Sequence, residues 1–182
     1  MHDDVVFGEE LRRLRGEVVR APDGVDLRTV RVEVVGDPAV AAKQAGEVLA
    51  SVLSELPEDW PSNTQQPFPS IECWARTLPG WFVDLCAPEM SESKITATSW
   101  RLHRLPMEVR DLISQNTAPS LGAWISCFEH YRSWVWWGVA MFENAYELDY
   151  VVFDDGYTRW DLNWLLVASG GWRLSYRDCE RF

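Results

Sequence analysis

Eleven tryptophans occur in 182 residues, and ten of them fall between Trp74 and Trp172. Tryptophan has the largest apolar surface of any side chain and one N–H that needs an acceptor when buried. A chain carrying so many must bury them against one another in a dense core or present them as a recognition surface. Three stand together in Ser133-Trp134-Val135-Trp136-Trp137-Gly138. They read as core between a sheet and a helical layer, with interface anchoring as the other use of such a cluster.

A chain of this length suits one domain, 1–182, with room for an embellishment. The net charge is −11, and acids outnumber bases in each third of the sequence. Nucleic-acid binding rests on clustered Lys and Arg that release counterions, so this distribution argues against it. It favours a basic protein partner. Cys73, Cys86, Cys127 and Cys179 form no C-x-x-C pair and no disulfide framework, which fits reduced thiols and a cytoplasmic setting. Met1-His2-Asp3-Asp4 has neither the basic nor the apolar region of a signal peptide. The longest apolar run, Trp134–Phe142, is far shorter than the ~20 residues of a membrane span.

Periodicity supplies the elements. Leu11, Leu14 and Val18 predict a helix over 9–20 with its apolar stripe on those residues. Val30, Val32 and Val34 alternate with Arg31 and Glu33, the mark of a strand over 28–35 with one buried face. Asp37-Pro38 opens a helix over 38–56, with Asp37 as cap and Pro38 at the first helical position. Residues 57–69 carry four prolines and read as a stiff connection. Short helical periods follow from Ser70, Gly80, Ser91, Pro106 and Ser120, making 57–129 a helical insertion. Strands are expected over 131–142 and 146–153, and a last strand over 172–177 with Trp172, Leu174 and Tyr176 on one face. Residues 160–169 fit a further strand or a helix capped by Asp161; Leu165-Leu166 and Gly170-Gly171 favour the helix.

Without the insertion the order is βαββαβ, the ferredoxin-like plan of an antiparallel sheet with two helices on one face, an α+β fold. The insertion is placed over the other face, where it accounts for a strand at 131–142 that is apolar on both sides. The segments Leu78-Pro79-Gly80-Trp81-Phe82-Val83-Asp84-Leu85-Cys86-Ala87-Pro88-Glu89, Trp134–Trp137 and Leu162–Gly170 resemble a group of actinobacterial proteins, over roughly residues 70–170. The resemblance implies a genuine domain and the late helix; it brings no activity.

No Gly-rich phosphate loop and no H-E-x-x-H is present, and no cofactor is implied. Cys73, Cys86 and His103 lack the spacing of a zinc site. Cys127 and Ser126, with His130 close by in sequence, are the nucleophile candidates, but Cys127 reads better as a small packed residue and His130 as a helix C-terminal residue. The acids Glu143, Glu147, Asp149, Asp154, Asp155 and Asp161 concentrate in one stretch. They suit a divalent cation, a basic partner, or simple blunting of a strand edge. Glu147, Asp149, Asp154 and Asp155, with Tyr146 and Trp136, are taken as the partner-binding set. The functional expectation is a non-enzymatic, intracellular protein-binding factor of accessory, regulatory or immunity type. The alternative is a small-molecule-binding domain or enzyme with a Trp/Tyr-lined pocket between sheet and insertion.

Overall fold

Alternating valines need neighbouring strands, and Val30, Val32 and Val34 find theirs more than a hundred residues away. In a computed structural model of the chain, the described residues are 9–16, 27–57, 67–91, 104, 117–129, 132–152 and 159–177. Strand β1 (Leu27–Val34) lies inside a four-stranded antiparallel sheet with order β2-β3-β1-β4. Its neighbours are β3 (Ala145–Val152), where Val30 faces Leu148, and β4 (Gly171–Arg177), where Val30 faces Tyr176. Strand β2 (Trp134–Met141) adds to the far side of β3 and forms one edge.

Two long helices cover one face. Helix α2 (Pro38–Glu55) starts as its sequence requires, with the Asp37 carboxylate accepting the Ala39 N–H at 2.8 Å. Its small residues Ala41, Ala42 and Ala45 are buried and let it approach the sheet and the late helix closely. That late helix spans Trp160–Ala168 and buries Leu162, Leu165 and Leu166. Asp161 does not cap it. The N-cap residue is Arg159, and Asp161 lies in the first turn with its side chain buried.

Gly170, at φ +106°, ends the helix in a conformation that side-chain-bearing residues rarely adopt. Gly171 answers to a different constraint. A Cβ there would stand 2.7 Å from Val32 Cγ1 and 2.8 Å from the Leu166 carbonyl oxygen. The same crowding accompanies a bulge, because Gly171 pairs with Val34 and Arg173 with Glu33, leaving Trp172 as the extra residue. Trp172 is therefore 60% exposed, whereas Leu174 and Tyr176 pack on the core as the alternation predicts.

The insertion contributes α3 (Ile71–Thr77), α4 (Gly80–Leu85) and α5 (Leu121–Ile125), the last tightening into a 3₁₀ turn over Ser126–Phe128. Ser70 and Ser120 cap α3 and α5 through the Cys73 and Ala123 N–H groups. Glu89 supplies a further acceptor to the exposed start of α5, 2.7 Å from the Gly122 nitrogen. A run of ring contacts, Phe68–Trp74, Phe82–Trp124 and Trp124–Phe128, continues the core outward from the sheet. These residues share one cluster with Val30, Leu148, Leu49 and Leu165. The described parts of the insertion thus join the helix-covered side, and none of them lies over the other face. There, among the described residues, Val135 and Val151 pack with Leu27 and Trp137 alone. The helices expected from Ser91 and Pro106, and most of the proline-rich connection, lie outside the described residues.

Gly171→Ala is expected to lower stability by about 1–3 kcal/mol, the cost of forcing extra volume against a core side chain and a helix carbonyl. A urea midpoint measured beside that of Gly138→Ala, a site with open space around its Cβ, checks the assignment.

Candidate functional site

The two acids singled out on β3 share the sheet face opposite α2. Asp149 Oδ1 accepts the Thr29 hydroxyl at 2.7 Å. Glu147 Oε1 lies 3.2 Å from Arg31 Nη1 and 2.9 Å from Arg177 Nη2. Arg173 and Glu33 add a looser pair at 3.8 Å. The face is therefore a ladder of mixed charge. Asp149 stands apart as the acid on it with no cationic partner among the described residues. Asp154 and Asp155 lie outside the described residues.

The aromatic half of the expected set sits elsewhere. Tyr146 and Trp136 belong to the core, on the face covered by α2. Burial pushes the Tyr146 phenol far above its ordinary pKa. Its hydroxyl has no hydrogen-bond partner among the described residues. Trp134 is buried as well, and only Trp137 of the cluster is half-exposed. Trp137 is the extra residue of a second bulge, between Trp136 and Gly138.

Among the described residues, six of the nine exposed large apolar residues lie at one end of the molecule, the others being Leu85 and Met90 of the insertion and Val139 of β2. Strands β1 and β2 end where β3 and β4 begin, and α2 starts and the late helix stops at that same end. Val35, Val40, Met141, Phe142, Val167 and Trp172 all lie there and are all exposed. Phe142, 44% exposed, lies under the Arg31 guanidinium, 4.8 Å from its ring centre. Arg31 therefore links this apolar rim to Glu147 and the charge ladder. Alternation within each strand does not show this grouping; it follows from the sheet order, which brings four separate segments together.

A second cluster, buried and polar, surrounds the first helix, α1, described over residues 9–14. The predicted apolar stripe holds only in part: Leu14 packs against the core and Val18 lies outside the described residues, but Leu11 is half-exposed while Glu10 and Arg13 are buried. The reason is the surface α1 meets. Strand β2 is an edge, and the Trp136 N–H and C=O point away from β3. Glu10 accepts that N–H at 2.6 Å, and Arg13 Nε donates to that carbonyl at 3.2 Å. The Arg13 guanidinium lies 3.9 Å from the centre of the Trp137 ring. Arg132 pairs with the other Glu10 oxygen and donates to the Trp134 carbonyl at 2.7 Å. Burial holds the Glu10 carboxyl above the usual range, opposed by Arg132, the Trp136 N–H and Arg13.

Asp161 joins the same region to the insertion. Its Oδ2 accepts the Trp134 indole N–H at 2.7 Å, and its backbone carbonyl accepts that of Trp124 at 3.0 Å. Cys127 lies beside this carboxylate. Burial first, and then the Asp161 charge, raise its thiol well above the ordinary cysteine range. That is opposite to what a nucleophile needs at neutral pH. His130 lies outside the described residues, as does His103. No group of three His, Cys, Asp or Glu among the described residues is placed to hold a metal ion. No described helix is long and apolar enough to cross a membrane. No protein-family model, curated protein or solved structure matches the chain.

Glu10→Ala removes the buried carboxylate shared by Arg132 and the Trp136 N–H, and is expected to cost about 3–5 kcal/mol in denaturant unfolding. A folded-state pKa above the unfolded one means the native chain holds the proton more tightly. The stability of the wild type relative to Glu10→Gln should therefore fall as pH rises through this raised titration. A difference that grows with pH contradicts the assignment.

Cys127 should react with iodoacetamide at pH 7.5 much more slowly in the native protein than in denaturant, with peptide mapping as the readout. Equal rates in both states contradict a half-buried thiol with a raised pKa.

Proposed function

We propose that this chain is a non-enzymatic protein-binding factor acting in the cytoplasm, whose contact surface is the apolar end of the sheet with the adjoining charge ladder. The observation that carries the reading is the gathering of Trp172, Phe142, Met141 and Val35 at one end of the sheet. Exposed apolar residues grouped in this way mark interaction surfaces, whereas isolated ones are ordinary. Glu147 and Asp149, with Asp154 and Asp155, are proposed to bias partner choice and encounter through charge. Trp172 and Phe142 take the anchoring part first expected of Trp136 and Tyr146. A protein partner, and no nucleic acid, fits the net charge of −11.

We further propose that the fold is the ferredoxin-like split β-α-β arrangement. Its support is the order β2-β3-β1-β4 with α2 and the late helix on one face, and the insertion placed between α2 and β2.

Charge reversal at Glu147 is a poor test, because a lysine there would face both Arg31 and Arg177. The double variant Trp172→Ser/Phe142→Ser removes exposed side chains and should retain its unfolding midpoint. Loss of a hot-spot aromatic costs about 2 kcal/mol or more, so partner recovery by the tagged protein from its native host should drop at least about tenfold. Equal recovery by the folded double variant, or no specific partner for the wild type, overturns the reading.

A further inference from the structure

The edge strand β2 is treated differently along its length. At Trp136 the outward N–H and C=O are taken by Glu10 and Arg13. Beyond the bulge, the register fixes which residues face out. The hairpin closes with the Phe142 N–H on the Ala145 carbonyl at 2.9 Å. Antiparallel pairs alternate between those that exchange bonds and those that do not. Ala140 opposite Glu147 and Gly138 opposite Asp149 therefore bond inward to β3, while Val139 and Met141 direct their N–H and C=O away from the sheet. Both are exposed, at 36% and 50%, and no described residue bonds to those groups.

Proteins blunt open edges with charge, proline or a covering element. The other edge, β4, carries Arg173 and Arg177. The segment Gly138-Val139-Ala140-Met141 carries no charge and no proline. Its side chains divide by face. Val139 and Met141 offer apolar contacts toward the α2 side. Gly138 and Ala140 are small and stand between the edge and the carboxylates of Asp149 and Glu147 on the opposite side. A strand added outside β2 would lie about 10 Å from β3, two strand spacings, within reach of a long basic side chain passing over Ala140 or Gly138.

We propose that the Gly138–Met141 edge binds an extended segment of a partner protein by strand addition. Apolar side chains of that segment face Val139 and Met141, and basic ones between them face Asp149 and Glu147. The basic requirement follows from Asp149, which has no cationic partner among the described residues, and from the chain's net charge of −11. A second copy of β2 fits less well, since Gly138–Met141 offers no base for Asp149. The inference rests on the protein-binding reading and names the mode of recognition at that site. Main-chain bonds supply the attachment and the alternating side chains the selectivity.

The probe is a capped peptide of about nine residues alternating valine and lysine, a length matched to one strand, titrated by calorimetry in about 50 mM salt to limit screening. The same peptide with proline at its central valine is the control. Val139→Pro removes an outward N–H that β3 does not use, a position where an edge strand tolerates proline. Val139→Lys blunts the same edge without proline and serves if Val139→Pro fails to fold. Wild-type protein should bind the alternating peptide at least about tenfold more tightly than the proline control, and either Val139 variant should lose that preference. Asp149→Asn should bind more weakly and with less salt dependence.

Equal binding of both peptides, undiminished binding by a folded Val139 variant, or no binding by the wild type overturns strand addition. So does a wild-type dimer that Val139→Pro converts to monomer, which assigns the edge to a second copy. If the native partner is kept by Val139→Pro and lost by Trp172→Ser/Phe142→Ser, strand addition fails while the protein-binding function stands. If neither variant loses it, both fail.

Discussion

An exposed sheet edge must place its unused N–H and C=O groups somewhere, and the answer at Trp136 shapes the start of this chain. A carboxylate and a guanidinium one helical turn apart, Glu10 and Arg13, satisfy a single strand residue from the side as a further strand would. Both groups lose water in doing so, and Arg132 supplies the compensating charge from the β2 side. Removing one member of such a buried set exposes the desolvation cost of the others, which makes the cluster more brittle than an apolar contact of equal area. In return, α1 is fixed to β2 in one register, because acceptor and donor must meet one N–H and one C=O.

The tryptophans are placed by similar polar requirements. Trp134 and Trp124 belong to a strand and to the insertion, and both indole N–H groups end on Asp161 of the late helix. One residue thereby joins three parts of the fold through two acceptors, a carboxylate oxygen and a backbone carbonyl. Filling the space between those elements is a non-directional matter; the indole N–H bonds make it directional. Arg132, stacked 4.3 Å from the Trp134 ring centre, connects this junction to Glu10. The polar cluster and the aromatic core are thus one continuous structure.

Much of the fold was legible because local signals agreed with it. Asp37-Pro38, Ser70 and Ser120 begin helices where capping chemistry places them, and the alternation at Val30–Val34 marks a real strand. Two helices form where expected but differ in detail, α1 in what it buries and the late helix in its cap. Amphipathic reading assumes that a helix buries only its apolar side, and Leu14 of α1 does pack on the core. The helix also meets a strand edge that needs polar groups, which draws Glu10 and Arg13 inward. Asp161, in a position typical of a cap, turns inward to two indoles. The candidate surface was legible only in part. Glu147 and Asp149 share a face as period two demands, and the same period puts Tyr146 on the opposite one; Trp136 falls there through its register opposite Tyr150, which the sequence does not show. Trp172 escaped its predicted face through a bulge that depends on how closely Gly171 approaches Val32.

The sheet order also has a consequence in time. Strand β1 leaves the ribosome well before its partners, since both strands that flank it are made more than a hundred residues later. Until residue 177 has appeared, its alternating valines have no complete pair of neighbours, and closing so long a loop carries an entropic cost that slows assembly. Meanwhile α2 and the short capped helices of the insertion can form from local contacts. The growing chain therefore carries an unpaired, valine-rich central strand until β3 and β4 arrive, and that interval is when it is most open to wrong pairing.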